Sequence, residues 1–455
     1  MSQAVESVAA HVEHAAYPSR AIAWYSTITL AFLYWLSILD RFIISLLVGP
    51  IKRDLGITDV QFGLLQGFAF AVTFAIFGLF AGVLADRYSR RWVIFLGVSI
   101  WSLATAACGL AKNFWHLMLA RVGVGAGEAT LNPCATSMLT DLFPRERLTM
   151  AMAIYAMGAT VGMGTALLFG GLIVEVVSQS ATIALPVVGT VPSWQAVFFI
   201  VGVPGAVLSL LVFTLPEPAR RGQRVTTAEG RPRQSYRELL RFINTRRRFF
   251  ICHYAGFMFA STIISGGGAW YAAHMTRAFG WSPGQIGLAL GLTIAGAGVI
   301  GKIICGTVVD AMYRRGLRDA QIRWYAGCLV AATPIGIMAF TSANPWVFVF
   351  GLGAFLVLLS PLAACSSASL NLVTPNELRG AGIAMFGAVG GILGAGGGPV
   401  LMAAAGEFLF GGESAIGKGV AVTIAICCPL GAMCLALGFR AMREAMAEAE
   451  RWDRS

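Results

Sequence analysis

Five charged side chains stand well inside long apolar runs of this chain, away from their ends: Asp40 and Arg41 in one, Arg121 and Glu128 in another, Lys302 in a third. An ionised group near the middle of a membrane span costs about 2.5–3.5 kcal/mol on insertion scales, so each demands a partner or a water-filled cavity. Carboxylates that share arginines can take up and release protons, because burial and a nearby guanidinium act on a carboxyl in opposite senses. Asp40, Arg41, Arg121 and Glu128 are therefore the expected proton-coupling network, with movement of Arg121 between partners as its switch. Arg121 and Glu128 are seven residues apart, nearly on one helix face and about 10.5 Å apart along the axis. That is too far for a direct pair, which leaves Asp40 or Arg41 to complete the network. Asn132, one turn beyond Glu128, together with Thr262, Ser265 and Lys302, joins these four as candidate substrate contacts.

The elements that must hold these groups are membrane helices. Hydrophobic residues make up 57% of the 455 and charged residues only 12%, with a mean hydropathy of +0.73, against about 25% charged in a soluble domain. Twelve apolar runs reach spanning length: 22–49, 60–85, 92–111, 114–140, 148–178 and 194–215, then 249–277, 284–311, 324–342, 345–372, 380–406 and 418–440. Each exceeds the ~20 residues a helix needs to cross hydrocarbon, and strand-type alternation is absent. The expected fold class is an all-α membrane protein of twelve transmembrane helices in two pseudo-symmetric six-helix halves. The halves are 1–215 and 249–455, joined by a Pro-, Gly- and Arg-rich linker, 216–248, with a short amphipathic helix near Tyr236 to Phe242.

Charge sets the expected orientation. Of the 33 Lys and Arg, 25 lie on the side that holds both ends of a twelve-span chain, and five on the other. Both termini are thus expected in the cytoplasm, with the chain in the cell (inner) membrane. No secretory signal is expected at the start. The net charge of +11 sits in short clusters between apolar runs, a topology signal rather than a nucleic-acid surface.

A short pattern occurs twice, 224 residues apart: Gly82, Asp86, Arg87, Arg90 and Arg91, then Gly306, Asp310, Arg314 and Arg315. Pro144-Arg-Glu146 and Pro375-Asn-Glu377 form a second, weaker repeat. Asp86 and Asp310 fall at cytoplasmic helix ends, where an acid can face the positive N-terminus of another helix. Glycine runs, Ser265-Gly266-Gly267-Gly268 in the seventh span and Gly390 to Pro399 in the eleventh, mark expected hinges.

The doubled pattern resembles the loop motif of the major facilitator superfamily, G-x-x-x-D-[RK]-x-G-[RK]-[RK], with Ser89 where the motif usually has Gly and Ala311 at the first basic position of the second copy. Within that superfamily, Asp40-Arg41, Ile51 to Gly56 and Arg121 to Ala129 resemble the Spinster branch. The resemblance implies secondary active transport of an amphipathic lipid, such as a lysophospholipid or sphingolipid, by alternating access with proton coupling. It further implies a cytoplasmic gate of Gly82, Asp86, Arg90, Gly306, Asp310 and Arg314, with Asp86 meeting the eleventh span near Gly380 and Asp310 the fifth near Thr149.

The asymmetry of the ionised residues suits a substrate with a charged head and an apolar tail, and Phe257, Phe259, Trp270 and Tyr271 are candidate tail contacts. The alternative is a small organic anion, such as a sugar acid, drawn by Arg41, Arg121 and Lys302. No nucleophile turn, metal-binding helix pair or nucleotide loop is present, so no enzyme activity, cofactor or metal is expected. Expected partners are the substrate, protons and membrane lipids, and the chain is expected to act as a monomer.

Overall fold

The computed structural model describes residues 17–186, 188–220, 236–412 and 415–452. Among them the chain is helical throughout, apart from one hairpin of β1 (Thr182–Leu185) paired antiparallel with β2 (Gly189–Pro192). The helices are α1 (Arg20–Phe42), α2 (Val48–Leu55), α3 (Asp59–Gly63), α4 (Ala69–Arg87), α5 (Arg90–Cys108), α6 (Phe114–Glu128), α7 (Leu131–Leu142), α8 (Arg145–Val177) and α9 (Ser193–Leu208). There follow α10 (Tyr236–Thr245), α11 (Arg247–Phe279), α12 (Pro283–Arg314), α13 (Ala320–Thr341), α14 (Pro345–Leu359), α15 (Leu362–Val373), α16 (Asn376–Val389), α17 (Gly397–Phe410) and α18 (Ile416–Trp452).

Eleven stretches among the described residues are long and apolar enough to cross a membrane. The remaining expected span, 114–140, is divided into α6 and α7 at Ala129-Thr130. Pro133 accounts for the break, since it has no N–H to give the carbonyl four residues back and its ring crowds that carbonyl. A matching interruption at Ser360-Pro361 separates α14 from α15.

The caps reveal a deeper internal repeat than the loop motif alone. Thr58 and Ser282, 224 residues apart, each close a capping box with a glutamine three residues on, Gln61 and Gln285. Each box follows a left-handed glycine at the preceding helix end, Gly56 (φ 63°) and Gly280 (φ 67°). Asn113 and Asn344, 231 residues apart, cap α6 and α14 through their side chains. From there the two copies run in step, 15 helical residues, a two-residue break and 12 more. The offset grows from 224 to 231 across the loop before α13, where the second copy is longer.

The helices form two compact units. The first is Met1–Arg41, Thr73–Ala166 and Ser180–Arg233; the second is Phe42–Val72, Leu167–Gln179 and Gln234–Ser455. Packing thus divides the chain differently from its repeat, because short pieces of the first-half spans are built into the second unit.

Glycine allows close crossings in each. In the first, a Cβ on Gly127 would lie 2.6 Å from the Trp101 backbone nitrogen and 2.7 Å from the Gly97 carbonyl. Gly127→Ala is therefore expected to force α5 and α6 apart at a cost of about 1–3 kcal/mol, read as a lower melting temperature in detergent. In the second, Gly266 packs on the Gly398 backbone. Of the seventh-span glycines, Gly266 thus serves packing within an unbroken helix while Gly268 has open space beside it, and Gly390–Gly396 is a π-helical turn.

Candidate functional site

The ionised residues of the first unit converge where α1 passes the end of α6. Arg41 and Asp40 sit in the last turns of α1, and Glu128 is the final residue of α6, immediately before the Ala129-Thr130 break. The Arg41 guanidinium donates to Glu128 Oε2 through Nη2 at 2.5 Å and Nε at 3.2 Å, and Ser37 Oγ donates to the same oxygen at 2.8 Å. Glu128 Oε1 and both Asp40 oxygens accept no hydrogen bond among the described residues. Asp40 and Arg121 are within electrostatic reach of each other and of Glu128, and the Trp101 indole faces Asp40. Asp40, Arg121 and Glu128 are almost wholly buried, while the Arg41 side chain is 27% exposed with Phe74 under its guanidinium. The cluster therefore holds two acids and two guanidiniums in one buried site, with a single exposed edge at Arg41.

This chemistry belongs to one copy of the repeat. At the 231-residue offset, Arg121 and Glu128 correspond to Leu352 and Leu359, both fully buried.

Asn132 lies just past the break and accepts a 2.5 Å hydrogen bond from Tyr155, whose ring stacks on Tyr34. The remaining candidates belong to the second unit. Thr262 is buried, with its hydroxyl donated to the Met258 carbonyl; Ser265 is half-buried; Lys302 is on the exposed face of α12. Phe257 and Trp270 are core residues, the former against Tyr325 and the latter donating to the Pro399 carbonyl at 2.9 Å.

Arg90, expected to join a latch with Asp86, is fully buried within the first unit, paired with Asp141 and with Glu217, whose Oε1 is 3.0 Å from Arg90 Nε. Ser89 donates its hydroxyl to Glu217 Oε2 at 2.6 Å, and the Arg91 N–H donates to the same oxygen at 3.1 Å. Arg220 closes the cluster by donating to the Ala85 and Tyr88 carbonyls at the end of α4, where a cation is favoured. Gly82 and Gly306 both have open space beside them. In the second copy Asp310 and Arg314 are exposed. The side chains of Asp86 and Thr149, and Gly380, lie outside the described residues.

Burial pushes the Glu217 carboxyl up, but hydrogen bonds from Ser89, the Arg91 N–H and Arg90 outweigh it and hold the group below the usual carboxylate range. A group depressed in this way stabilises the fold at pH above its unfolded value, roughly 4.3, and loses that contribution as pH falls through the lower folded value. Glu217→Gln is thus expected to lower the melting temperature at pH 7, and the gap from wild type is expected to narrow below about pH 4.

A second ionic cluster was not anticipated. Asp59 accepts from Lys52 Nζ at 2.5 Å and, through both oxygens, from Arg277 at 2.7 and 2.8 Å. It ties α2 and α3 to the end of α11, with Trp270 beneath the Arg277 guanidinium. Glu175 Oε2 likewise accepts the Gly284 N–H at 2.9 Å at the start of α12, where an acid is favoured. Both contacts join first-half segments to second-half helices inside the second unit. The sequence signal was present in Lys52 and Asp59, seven apart across a capped turn, but each reads equally as an ordinary loop charge.

Residues 30–272, more than half the chain, match the Major Facilitator Superfamily. An MFS-type efflux pump of Mycolicibacterium smegmatis is 26% identical, over 94% of this chain and 95% of that protein. A probable L-galactonate transporter of Escherichia coli is 27% identical, over 70% of this chain and 69% of its own. A crystal structure of a bacterial homolog of the human lysosomal transporter Spinster, inward-facing and unoccupied, superposes with a TM-score of 0.79 at 24% identity, covering 95% of this chain and 99% of that one. At that identity the likeness is one of fold.

Proposed function

The chain belongs to the major facilitator superfamily, a secondary transporter rather than an enzyme, and from that premise we propose that it carries an amphipathic lipid such as a lysophospholipid, coupled to protons, by alternating access. The observation that carries this reading is the one-sided cluster: Arg121 and Glu128 stand where the repeat has Leu352 and Leu359. A charged headgroup suits the Asp40–Arg41–Arg121–Glu128 site, and a substrate with a single charged end needs no counterpart in the other copy.

Proton coupling rests on two acids that compete for two guanidiniums. Arg41 grips one oxygen of Glu128, while the other oxygen and both Asp40 oxygens accept no hydrogen bond among the described residues. A headgroup drawing Arg41 or Arg121 away from its acid would change which carboxyl holds a proton. Proton binding and substrate binding would then each bias the same equilibrium between conformations, as reciprocal coupling requires. The network roles of these four residues, headgroup contact at Asn132 and contacts at Thr262, Ser265 and Lys302 all belong to this proposal. So do the two repeat halves as the rocking bodies, the gate at Gly82, Asp86, Arg90, Gly306, Asp310 and Arg314, and the cytoplasmic placement of both termini.

A second reading, transport of a small sugar acid, is favoured by the similarity to the L-galactonate transporter. Competition separates the two. Excess lysophosphatidylglycerol should displace labelled lysolipid from the purified protein while galactonate and hexuronate leave it bound; displacement by the soluble acids would favour the second reading.

A further inference from the structure

The outer faces of α13 and α18 leave an open groove of about 470 Å³, floored by Ala326, Gly327, Val330, Met433 and Ala436, with Arg323 at one end. Gly327 and Ala436 make it a groove, since neither carries a side chain large enough to fill it. Val330 and Met433 are 61% and 51% exposed, so in a membrane this face meets acyl chains. At the basic-loop end stands a built cation. Asp319, its side chain fully buried, accepts from Arg323 Nη2 at 2.9 Å and Arg443 Nη1 at 2.7 Å. One acid shared by two guanidiniums leaves a net charge of +1, and the Arg323 and Arg443 side chains remain 38% and 47% exposed. The Arg323 guanidinium also rests on the ring of Phe439, 4.7 Å from its centroid, which holds the charge against the groove. From Arg323 to Val330 is about 10 Å along the helix, so the charge and the apolar floor are spaced as a phosphate and its first acyl carbons are.

We propose that this groove is a binding site for an anionic glycerophospholipid of the surrounding membrane, with an acyl chain along Gly327 and the phosphate on the Arg323–Arg443 cap. The net positive cap selects against zwitterionic headgroups, and the open floor accepts a chain without displacing protein. The site is independent of which substrate the transporter carries.

Native mass spectrometry of the full chain with phosphatidylglycerol or phosphatidylcholine tests it. Wild type is expected to retain phosphatidylglycerol about fivefold better, the effect of one basic residue at a lipid surface. Arg443→Gln neutralises the cap while Arg323 still pairs with Asp319, and is expected to abolish that preference. Gly327→Leu keeps the charge and fills the floor; a Cβ there meets nothing within 4 Å, so an unchanged melting temperature in detergent is expected, with binding of both lipids reduced. Equal retention of the two lipids by wild type, or wild-type retention of phosphatidylglycerol in either variant, would overturn the proposal.

Discussion

Glu128→Gln is expected to reduce proton-driven substrate movement in proteoliposomes by more than about tenfold while leaving the protein folded. The variant keeps the shape of Glu128 and an oxygen for Ser37 and Arg41, but removes the anion that the 2.5 Å Arg41 contact neutralises. Hydrogen bonds to a charged group contribute about 1.5–3 kcal/mol, which corresponds to roughly ten- to a hundredfold in the equilibrium they bias. Substrate exchange without a pH gradient should persist, because exchange needs the binding site but not net proton release. A static ionic cluster that only fixes helix packing would behave otherwise: Glu128→Gln would lower the melting temperature and slow exchange and driven uptake alike.

The second large effect is expected at Asp59. Asp59→Asn removes the anion shared by Lys52 and Arg277. Breaking a buried ion pair by removing one partner costs about 3–5 kcal/mol, more than most conformational equilibria can absorb. The packing of α2 and α3 on the end of α11 should loosen, exposing Phe62, which is fully buried against Trp270. With a cysteine at position 62, a maleimide added to the purified protein should label the Asp59→Asn background quickly and the wild-type background slowly. Equal labelling rates would show that the cluster does not hold this packing.

How much of this could be read from the sequence depended on the physical scale of each feature. Spans were legible because hydrophobic length is a property of a whole segment, whereas the division of one of them into α6 and α7 turned on a single proline at 133. The capping boxes at Thr58 and Ser282 lay in plain view, but the repeat between them shows only once the two are aligned as helix starts. Asp40, Arg41, Arg121 and Glu128 stood out because ionised groups are conspicuous in apolar runs, and the structure brings all four together. The ion pairs of Arg90 are hidden in the sequence for the opposite reason. Its partners Asp141 and Glu217 lie 51 and 127 residues away, and nothing local marks them as a pair. The same holds for Asp59 and Arg277, 218 residues apart. Long-range ion pairs are decided by tertiary packing, which charge spacing along a chain does not encode.

The central claim, proton-coupled movement of an amphiphile through the Asp40–Glu128 cluster, is tested most directly by transport in proteoliposomes of the full chain under an imposed pH gradient. With labelled lysophosphatidylglycerol as substrate and an internal pH dye, the account predicts lysolipid movement that responds to the gradient and is matched by a proton flux, both lost in Glu128→Gln. Lysolipid movement indifferent to the gradient, or a proton flux evoked by galactonate and not by lysolipid, would contradict it.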